Sequence, residues 1–294
     1  MRFLVPVDFS DITNPLLRTV KRIKDKMNPE VHLLHVIPPI IYLPYPETMG
    51  VGVIEIETLE KIEEEKRKEA EEKLEALKDF LGGEKVNTHI ELGDPADTIL
   101  EYEDKIKPNL VFLGGHKKSL VEKILIGSTT EKVVKHGKVS DFVIKGSEVE
   151  FKKSAVIAYD FSKTSQKAVE FSLKFLKPFG VSVKIIHVEE PFNLPVVDTL
   201  KKKFEEKLRE EKRKLLKELK EKFDKEGLKA EIIYTEGKNP VDEIARYVNE
   251  NENVELLIIG SKGLSGLKKI ILGNTATKLL GKLNKPVLIY KVNE

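Results

Sequence analysis

The sequence predicts an α/β protein made of two tandem doubly wound domains, each a five-stranded parallel sheet with helices on both faces. Two observations lead to this fold class. Apolar runs of strand length alternate with longer helical patterns, and the whole alternation occurs twice. Strands separated by helices form βαβ units, whose right-handed crossovers give a parallel sheet. A chain of 294 residues has room for two such domains, which we place at residues 1–146 and 153–294.

The two halves are copies of one sequence pattern. Residues 4–10 match residues 156–162 when Asp8 is aligned with Asp160, an offset of 152 (160 − 8). The same offset aligns the segment VHLLHV of the first half with VKIIHV of the second. An offset of 146 then aligns two glycines that follow a later strand in each half. An internal repeat on this scale indicates two domains of one fold, joined near residues 146–153.

Each half contains five predicted strands and four predicted helices. The strands fall near residues 2–8, 31–36, 86–91, 110–114 and 141–145, and again near 154–159, 181–187, 229–234, 255–259 and 286–291. The helices fall near residues 14–26, 55–81, 95–106 and 129–137, and again near 163–177, 197–226, 240–250 and 275–283. The second helix of each half is long and has charged residues between apolar ones at helical spacing. This pattern favours a solvated helix that covers a sheet face over the alternative of a coiled-coil partner.

Composition excludes several classes of function. Lys and Arg number 51 against 49 Asp and Glu, a balance too even to indicate nucleic-acid binding. The absence of cysteine excludes disulfides, thiol catalysis and cysteine metal sites. The six histidines are scattered and predict no metal-ligand cluster. No apolar run is long enough to span a membrane, and the first ten residues resemble a strand more than a signal peptide. We therefore expect a soluble, cytoplasmic protein.

A glycine-containing stretch follows the fourth strand of the second half. The apolar residues 256–259 run into Gly260, Gly263 follows three positions later, and nine residues then lead to Gly273. Glycine in such a turn allows the backbone to approach a ligand closely, because no Cβ stands in the way. A glycine turn that simply ends a strand is the alternative. The chain contains neither a Walker A loop nor a G-x-G-x-x-G fingerprint after a strand.

The segment after these glycines predicts a short helix over residues 276–283, with Asn274 or Thr275 as its N-cap. A helix start presents N–H groups and a partial positive charge, which suit phosphate. The stretch therefore predicts phosphate binding at the carboxyl end of a parallel sheet.

With this order of elements, the chain resembles a tandem member of the universal stress protein family. The family's hallmark is G-x2-G-x9-G-[ST] after the fourth strand. The second half supplies Gly260, Gly263 and Gly273 at that spacing, with Asn274 where Ser or Thr is usual. The other matching features are Asp160 at the end of the first strand, His187-Val188 on the second strand and Pro286-Val287-Leu288 near the end. The resemblance covers nearly all of both halves, and it implies the strand order 3-2-1-4-5 in each.

The resemblance also implies a site for ATP, often with a divalent metal such as Mg²⁺. In ATP-binding members, an Asp and the backbone of the Val after the His contact the adenosine, and the glycine loop and the helix start hold the phosphates. Carried over to the second half, this nominates Asp160, Val188, Gly260, Lys262, Gly263, Gly273, Asn274 and Thr275. The corresponding residues of the first half are Asp8, Val36, Gly114, Gly127 and Ser128. No catalytic residue and no metal ligand is nominated.

The two halves depart from the family pattern in different ways. In the first half, Lys117 replaces the second glycine of the loop, where a side chain would enter the phosphate path. In the second half, the bulky Tyr159 stands beside the expected adenine entrance, where the first half has Val7. Because phosphates carry most of the charge of ATP, we expect the glycine loop to decide the affinity. ATP is therefore expected chiefly in the second half.

Several of these residues have simpler interpretations. Asp8 and Asp160 can each cap the helix that follows. His35 and His187 are expected to serve in packing or hydrogen bonding and not as bases. Three lysines are candidates for balancing the charge of phosphate, and they are equally well explained as ordinary surface residues: Lys262, Lys268 and Lys269.

The sequence thus predicts an ATP-binding regulatory module that acts on an unknown protein partner. A slow ATPase is one alternative, although no residue is placed as a dedicated base for water. An interaction scaffold with decayed pockets is another, and Lys117 and Asn274 favour it. Family members usually pair across their last strands. We therefore expect residues 142–144 to pair with residues 288–290 inside one chain, with further homo-oligomers left open.

Overall fold

A computed structural model describes residues 1–39, 56–115, 126–191, 198–262 and 272–292. Its strands are β1 (Arg2–Pro6), β2 (Glu30–Ile37), β3 (Val86–Leu92), β4 (Leu110–Gly115), β5 (Ser140–Lys145), β6 (Ser154–Ala158), β7 (Val183–Glu189), β8 (Ala230–Glu236), β9 (Val254–Gly260) and β10 (Val287–Tyr290). Its α-helices are α1 (Thr13–Met27), α2 (Ile56–Phe80), α3 (Pro95–Ile106), α4 (Ser128–His136), α5 (Lys163–Leu176), α6 (Asp198–Lys225), α7 (Pro240–Glu250) and α8 (Asn274–Lys282). Every predicted strand and helix is present.

The ten strands form one sheet in the order β3-β2-β1-β4-β5-β10-β9-β6-β7-β8. Each repeat therefore has the expected order 3-2-1-4-5. Neighbouring strands are parallel except at the centre, where β5 and β10 run antiparallel. Phe142 lies opposite Leu288 and Val143 opposite Val287. The expected pairing of the two last strands within one chain is confirmed, with a register that centres on residues 141–143 and 287–289.

The helices cover both faces of this sheet. On one face α1, α2, α5 and α6 pack on a core that includes Phe3, Phe112 and Phe142, and α3, α4, α7 and α8 pack on the other. Because both faces are buried, the central strands are mostly apolar. The long helices bury an apolar stripe, with Leu74 and Leu216 each 1 % exposed, while most of their charged residues lie in solvent. The interpretation of these helices as sheet-covering amphipathic helices is confirmed.

Local sequence signals fix several helix starts. The Asp94 side chain accepts hydrogen bonds from the backbone N–H groups of Ala96 and Asp97, and Pro95 occupies the first helical position of α3. Asn239 caps α7 in the same way, again with a proline in the next position. A side-chain acceptor at the N-cap followed by proline starts a helix because it satisfies free N–H groups and presets φ.

A buried lysine of the second repeat reaches across the central strand pair. Lys291 Nζ lies 2.7 Å from Asp141 Oδ2 and donates to the Gly137 carbonyl at 2.8 Å. Gly137 is the C-cap of α4, where helix carbonyls lack intrahelical donors. Burial raises the pKa of Asp141 to about 7, although the Lys291 ammonium opposes the shift. The second repeat has Val287 at the position equivalent to Asp141, at the offset of 146 (287 − 141).

The equivalent lysine of the first repeat reaches in the opposite direction. Lys145 Nζ donates to the Leu283 carbonyl at 3.0 Å and to the Leu280 carbonyl, at the C-terminal end of α8. Each repeat thus supplies a cation to a helix end of the other, where a positive charge is favourable. Lys145 is fully buried, and this burial lowers its pKa to about 8.

The pKa of Lys145 predicts how stability depends on pH. The folded pKa of about 8 lies below the unfolded value of 10.5, so the folded chain binds fewer protons between these values. The free energy of unfolding attributable to Lys145 should therefore rise from pH 8 to pH 10.5, by at most about 3 kcal/mol. Lys145→Met should lack this rise. Urea unfolding at pH 7 and pH 10 measures it, with the exposed Lys177→Met as the control. Equal pH dependence in wild type and Lys145→Met would contradict the assignment.

Candidate ligand-binding site

A cavity of about 780 Å³ opens at the carboxyl ends of β6, β7 and β9. The chain crosses to opposite sides of the sheet from β6 and from β9, so this is the switch point of a doubly wound sheet, where ligands bind in such folds. Its apolar floor includes Ile186, Ile244 and Ile259. The nominated residues Asp160, Val188, Gly260, Lys262, Gly273, Asn274 and Thr275 all line this one cavity. Gly263, Lys268 and Lys269 lie outside the described residues.

The first repeat has a smaller cavity of about 320 Å³ at the equivalent place. The nominated residues Asp8, Val36, Gly114, Gly127 and Ser128 all line it. Lys117 lies outside the described residues.

Two differences in lining accompany the difference in volume. Ile12 lines the smaller cavity, and its Cγ2 would lie 2.7 Å from a Cβ placed on Gly114. The larger cavity gains a wall from one face of α6, formed by Leu208, Glu211, Lys212 and Leu215. Among the described residues, α2 contributes no such wall to the smaller cavity.

Close backbone packing explains two glycines of the larger cavity. A Cβ on Gly260 would lie 2.9 Å from Thr164 Cγ2 and 3.3 Å from Ser165 N, at the start of α5. A Cβ on Gly273 would lie 2.9 Å from the Ser261 carbonyl oxygen, which accepts a hydrogen bond from Gly273 N at 2.7 Å. Both positions therefore exclude any larger side chain, and they leave backbone at the cavity wall.

The short helix at the cavity starts one residue earlier than expected. Gly273 is the N-cap of α8 and Asn274 is its first helical residue, so the prediction of Asn274 or Thr275 as N-cap is wrong. A glycine cap has no side chain to bond the first-turn N–H groups. Gly127 starts α4 in the same way, with Ser128 as the first helical residue. The first turn of each helix consequently presents backbone N–H groups at its cavity.

Asp160 lies in a tight turn at the cavity. Its Oδ1 accepts a hydrogen bond from Ser162 N at 3.0 Å, across Phe161, whose φ is 64°. The helix cap is Ser162, whose Oγ accepts from Ser165 N at 3.1 Å. The alternative of Asp160 as an N-cap is therefore wrong, because its carboxylate bonds the turn and not the helix.

Asp8 makes the same turn in the first repeat and is more fully engaged. Its Oδ1 accepts from Ser10 N at 3.0 Å, from Ser10 Oγ at 2.6 Å and from Thr13 Oγ1 at 3.4 Å. The N-cap of α1 is Ile12, so the capping alternative is wrong here too. These contacts hold the Asp8 carboxylate within its own turn, whereas Asp160 Oδ1 receives one such bond.

Both histidines at the strand ends form structural hydrogen bonds. His35 Nδ1 lies 2.8 Å from the Val7 carbonyl oxygen, and His187 Nδ1 lies 2.8 Å from the Tyr159 carbonyl oxygen. Each Nδ1 must donate, because a carbonyl oxygen only accepts. The expectation that these residues serve in hydrogen bonding is confirmed.

Tyr159 lines the cavity, but most of its side chain is buried in the core. Its side chain is 6 % exposed and belongs to the core on the sheet face opposite Ile186 and Ile244. Side chains alternate between faces along a strand, so Tyr159 points away from the face of Ala158. The bulky Tyr159 therefore stands at the cavity, as expected, with its ring packed mainly into the core.

A buried carboxylate at this cavity was missed by sequence reasoning. Glu189 is 2 % exposed and accepts bonds from Lys212 Nζ at 2.8 and 2.9 Å and from Tyr234 Oη at 2.8 Å. Burial alone would raise the pKa of Glu189, but the bonds from Lys212 and Tyr234 hold it below its usual value. Burial and the same carboxylate raise the pKa of Tyr234 to about 12. The sequence did contain a signal for this residue. Glu189 is an acidic residue at the end of an apolar strand, and the equivalent position of the first repeat is Ile37.

The first repeat has apolar residues at the two positions that form the Glu189–Lys212 ion pair in the second repeat. The buried Leu74 and Leu216 align the two long helices at an offset of 142 (216 − 74), which makes Ala70 the counterpart of Lys212. Ile37 and Ala70 are 3 % exposed each, so the same fold is built there with apolar residues.

The fold and the cavities define a tandem, doubly wound α/β protein with a candidate ligand site at the switch point of each half. The chain belongs to the universal stress protein family, whose model matches residues 1–145 and 152–291. Over its whole length it resembles the crystal structure of a universal stress protein from Archaeoglobus fulgidus. The TM-score is 0.70 at 22 % identity, and the match covers 99 % of this chain and 98 % of that one.

Curated relatives match about half of the chain. Universal stress protein YxiE of Bacillus subtilis is 31 % identical over 145 residues, which are 46 % of this chain and 97 % of that protein. A universal stress protein of Methanocaldococcus jannaschii is 31 % identical over 163 residues, with 47 % and 94 % covered. Within the described ranges, no helix is long and apolar enough to cross a membrane, and no group of three acidic or histidine side chains is arranged to hold a metal ion.

The Glu189–Lys212 pair gives a testable coupling energy. Lys212→Ala should lower the free energy of unfolding by about 1–3 kcal/mol, because it leaves a buried carboxylate short of donors. The double variant Glu189→Ile/Lys212→Ala reproduces the apolar pair of the first repeat and should recover most of that loss. Urea unfolding of the four proteins in a double-mutant cycle measures the coupling. Simple additivity of the two single losses would contradict it.

Proposed function

We propose that this chain is an ATP-binding regulatory module of the cytoplasm, which binds nucleotide chiefly in its second repeat and changes contacts with a protein partner. The observation that carries the proposal is the convergence of Asp160, Val188, the described loop glycines and the start of α8 on one cavity of about 780 Å³. That volume lies within the usual range for small-molecule sites. The family's ATP-binding pattern nominates the same residues, independently of the cavity.

Each group in the cavity has a suitable chemical role. The Asp160 carboxylate can accept a hydrogen bond from a ribose hydroxyl, and the Val188 backbone can bond the edge of adenine. Gly260 and Gly273 place bare backbone at the cavity wall, and the first-turn N–H groups of α8 suit the charge of phosphate. Lys262 adds a cation to the lining. Mg²⁺ would be held mainly by the phosphates and water, as is usual for that ion.

Three features favour the second repeat over the first. Its cavity is larger, its Asp160 is less engaged than Asp8, and the place of Ile12 is taken by Thr164, which does not line the cavity. The first repeat then serves mainly as the pairing partner of the second. In this proposal the second repeat is the nucleotide-binding module, and the first repeat corresponds to the scaffold alternative.

The cavity favours binding over turnover. The His187 ring bonds the Tyr159 carbonyl through Nδ1, and its Nε2 lies 3.3 Å from Glu189 Oε2. Glu189 is in turn occupied by Lys212 and Tyr234. A general base must reach the attacking water with an available lone pair. Since these groups bond one another, ATP hydrolysis is expected to be slow at most.

Matched substitutions in the two repeats test this proposal. Asp160→Asn preserves the acceptor for Ser162 N but replaces the other oxygen with a donor, so ATP binding should weaken about 2–10-fold. Asp8→Asn makes the same change in the first repeat and should leave the affinity within about twofold. Isothermal titration calorimetry with ATP measures both, and thermal melting checks that each variant is folded. Loss of affinity in Asp8→Asn with none in Asp160→Asn would place the site in the first repeat. An absence of ATP binding by the wild type would overturn the proposal.

A further inference from the structure

Both repeats place a strained phenylalanine directly after the aspartate of the cavity. Phe9 has φ of 59° and Phe161 has φ of 64°, in the left-handed region that non-glycine residues rarely adopt. Such a conformation persists only where the surroundings fix it firmly, and it is often found at functional sites. The repetition of the same strain at the same position calls for a shared structural cause.

One imidazole contacts both chain neighbours of the aspartate. His187 Nδ1 donates to the carbonyl of Tyr159, the residue before Asp160, at 2.8 Å. The same ring lies edge-to-face against Phe161, the residue after Asp160, with ring centroids 4.8 Å apart. His187 is 6 % exposed, so solvent does not compete for these contacts.

The first repeat is built in the same way. His35 Nδ1 donates to the Val7 carbonyl at 2.8 Å, and the His35 and Phe9 ring centroids are 4.4 Å apart. The arrangement of a histidine on the second strand, a carbonyl before the aspartate and a ring after it therefore arises twice in one chain. The arrangement is therefore a feature of both repeats and does not depend on the conformation of one loop.

His187 lies between the two strand ends that carry the proposed ligand-binding groups. His187 lies on β7 next to Val188, and its hydrogen bond joins the end of β7 to the end of β6. The backbone bond from Tyr159 N to the Ile186 carbonyl at 2.9 Å joins the same two strands, and the His187 bond adds a second tie at their ends. Together they hold Asp160 and Val188, the two groups proposed to contact the nucleoside, at a fixed separation. A rotation of the Asp160 turn would require the Phe161 ring to leave the His187 ring.

We propose that His187 is a positioning residue for nucleotide binding, which holds the Asp160 carboxylate in its ligand-accepting orientation through Tyr159 and Phe161. The inference rests on the proposed ATP site of the second repeat. His187 also lines the cavity, but the role proposed for it acts through Tyr159 and Phe161 and not through contact with the nucleotide. It lowers the cost of binding by keeping Asp160 and Val188 in the bound arrangement before the ligand arrives.

The test compares removal of the donor with its replacement. His187→Leu removes the Nδ1 donor and should weaken ATP binding about tenfold. His187→Asn restores a donor at a similar distance from the backbone and should recover most of the affinity. His35→Leu makes the matched change in the first repeat, and should lower the melting temperature about as much as His187→Leu while leaving ATP affinity within twofold. Calorimetry with ATP and thermal melting are the two measurements.

A second variant separates positioning from folding. Phe161→Gly relieves the left-handed backbone but removes the ring, so its melting temperature should hold or rise while ATP affinity falls about threefold or more. If His187→Leu fails to fold, His187→Asn and Phe161→Gly still decide the question. ATP affinity equal to wild type in the folded His187→Leu protein, or in Phe161→Gly, would overturn the positioning role and leave the ATP site intact. A wild type that binds no ATP would instead overturn the site itself.

Discussion

The antiparallel pairing of β5 with β10 is the constraint on which the rest of the structure depends. It joins two parallel half-sheets into one ten-stranded sheet, and Lys145 and Lys291 tie each half to a helix end of the other. Because each half is parallel to its own last strand, the carboxyl ends of the two halves face opposite edges of the sheet. The two cavities therefore open at opposite edges, and they share no lining residue among those described.

This separation explains how two copies of one fold hold different sites. The shared core tolerates little change, since its strands are buried on both faces. The strand ends and loops are freer, and the two repeats differ there. Ile12 lines the first cavity, while Lys212 and the buried Glu189 form a polar wall of the second. The first repeat keeps the same arrangement of Asp, Phe and His beside a smaller cavity. We therefore attribute this arrangement to the fold, and we propose that its role in binding depends on the volume of the adjacent cavity.

The sequence predicted the fold almost completely, because alternating apolar runs and helical patterns report burial directly. All strand and helix bounds lie within two residues of the predicted ones. The described residues that it nominated line one cavity in each half, because the carboxyl ends of parallel strands converge at one edge; their role in binding stays a prediction. It failed where the outcome depends on distant partners or on one residue of register. The bond between Glu189 and Lys212 joins a strand to a long helix, and α8 starts at Asn274, one residue before the predicted start.

We propose that this sheet, built from two copies of a domain, has one nucleotide site of practical affinity. Native mass spectrometry of the intact chain titrated with ATP counts bound nucleotides directly. The account predicts one ATP per chain across the range of ATP concentrations that saturates the second repeat, and strong loss of that species in Asp160→Asn. Two nucleotides bound with equal affinity, or none at any concentration, would contradict it.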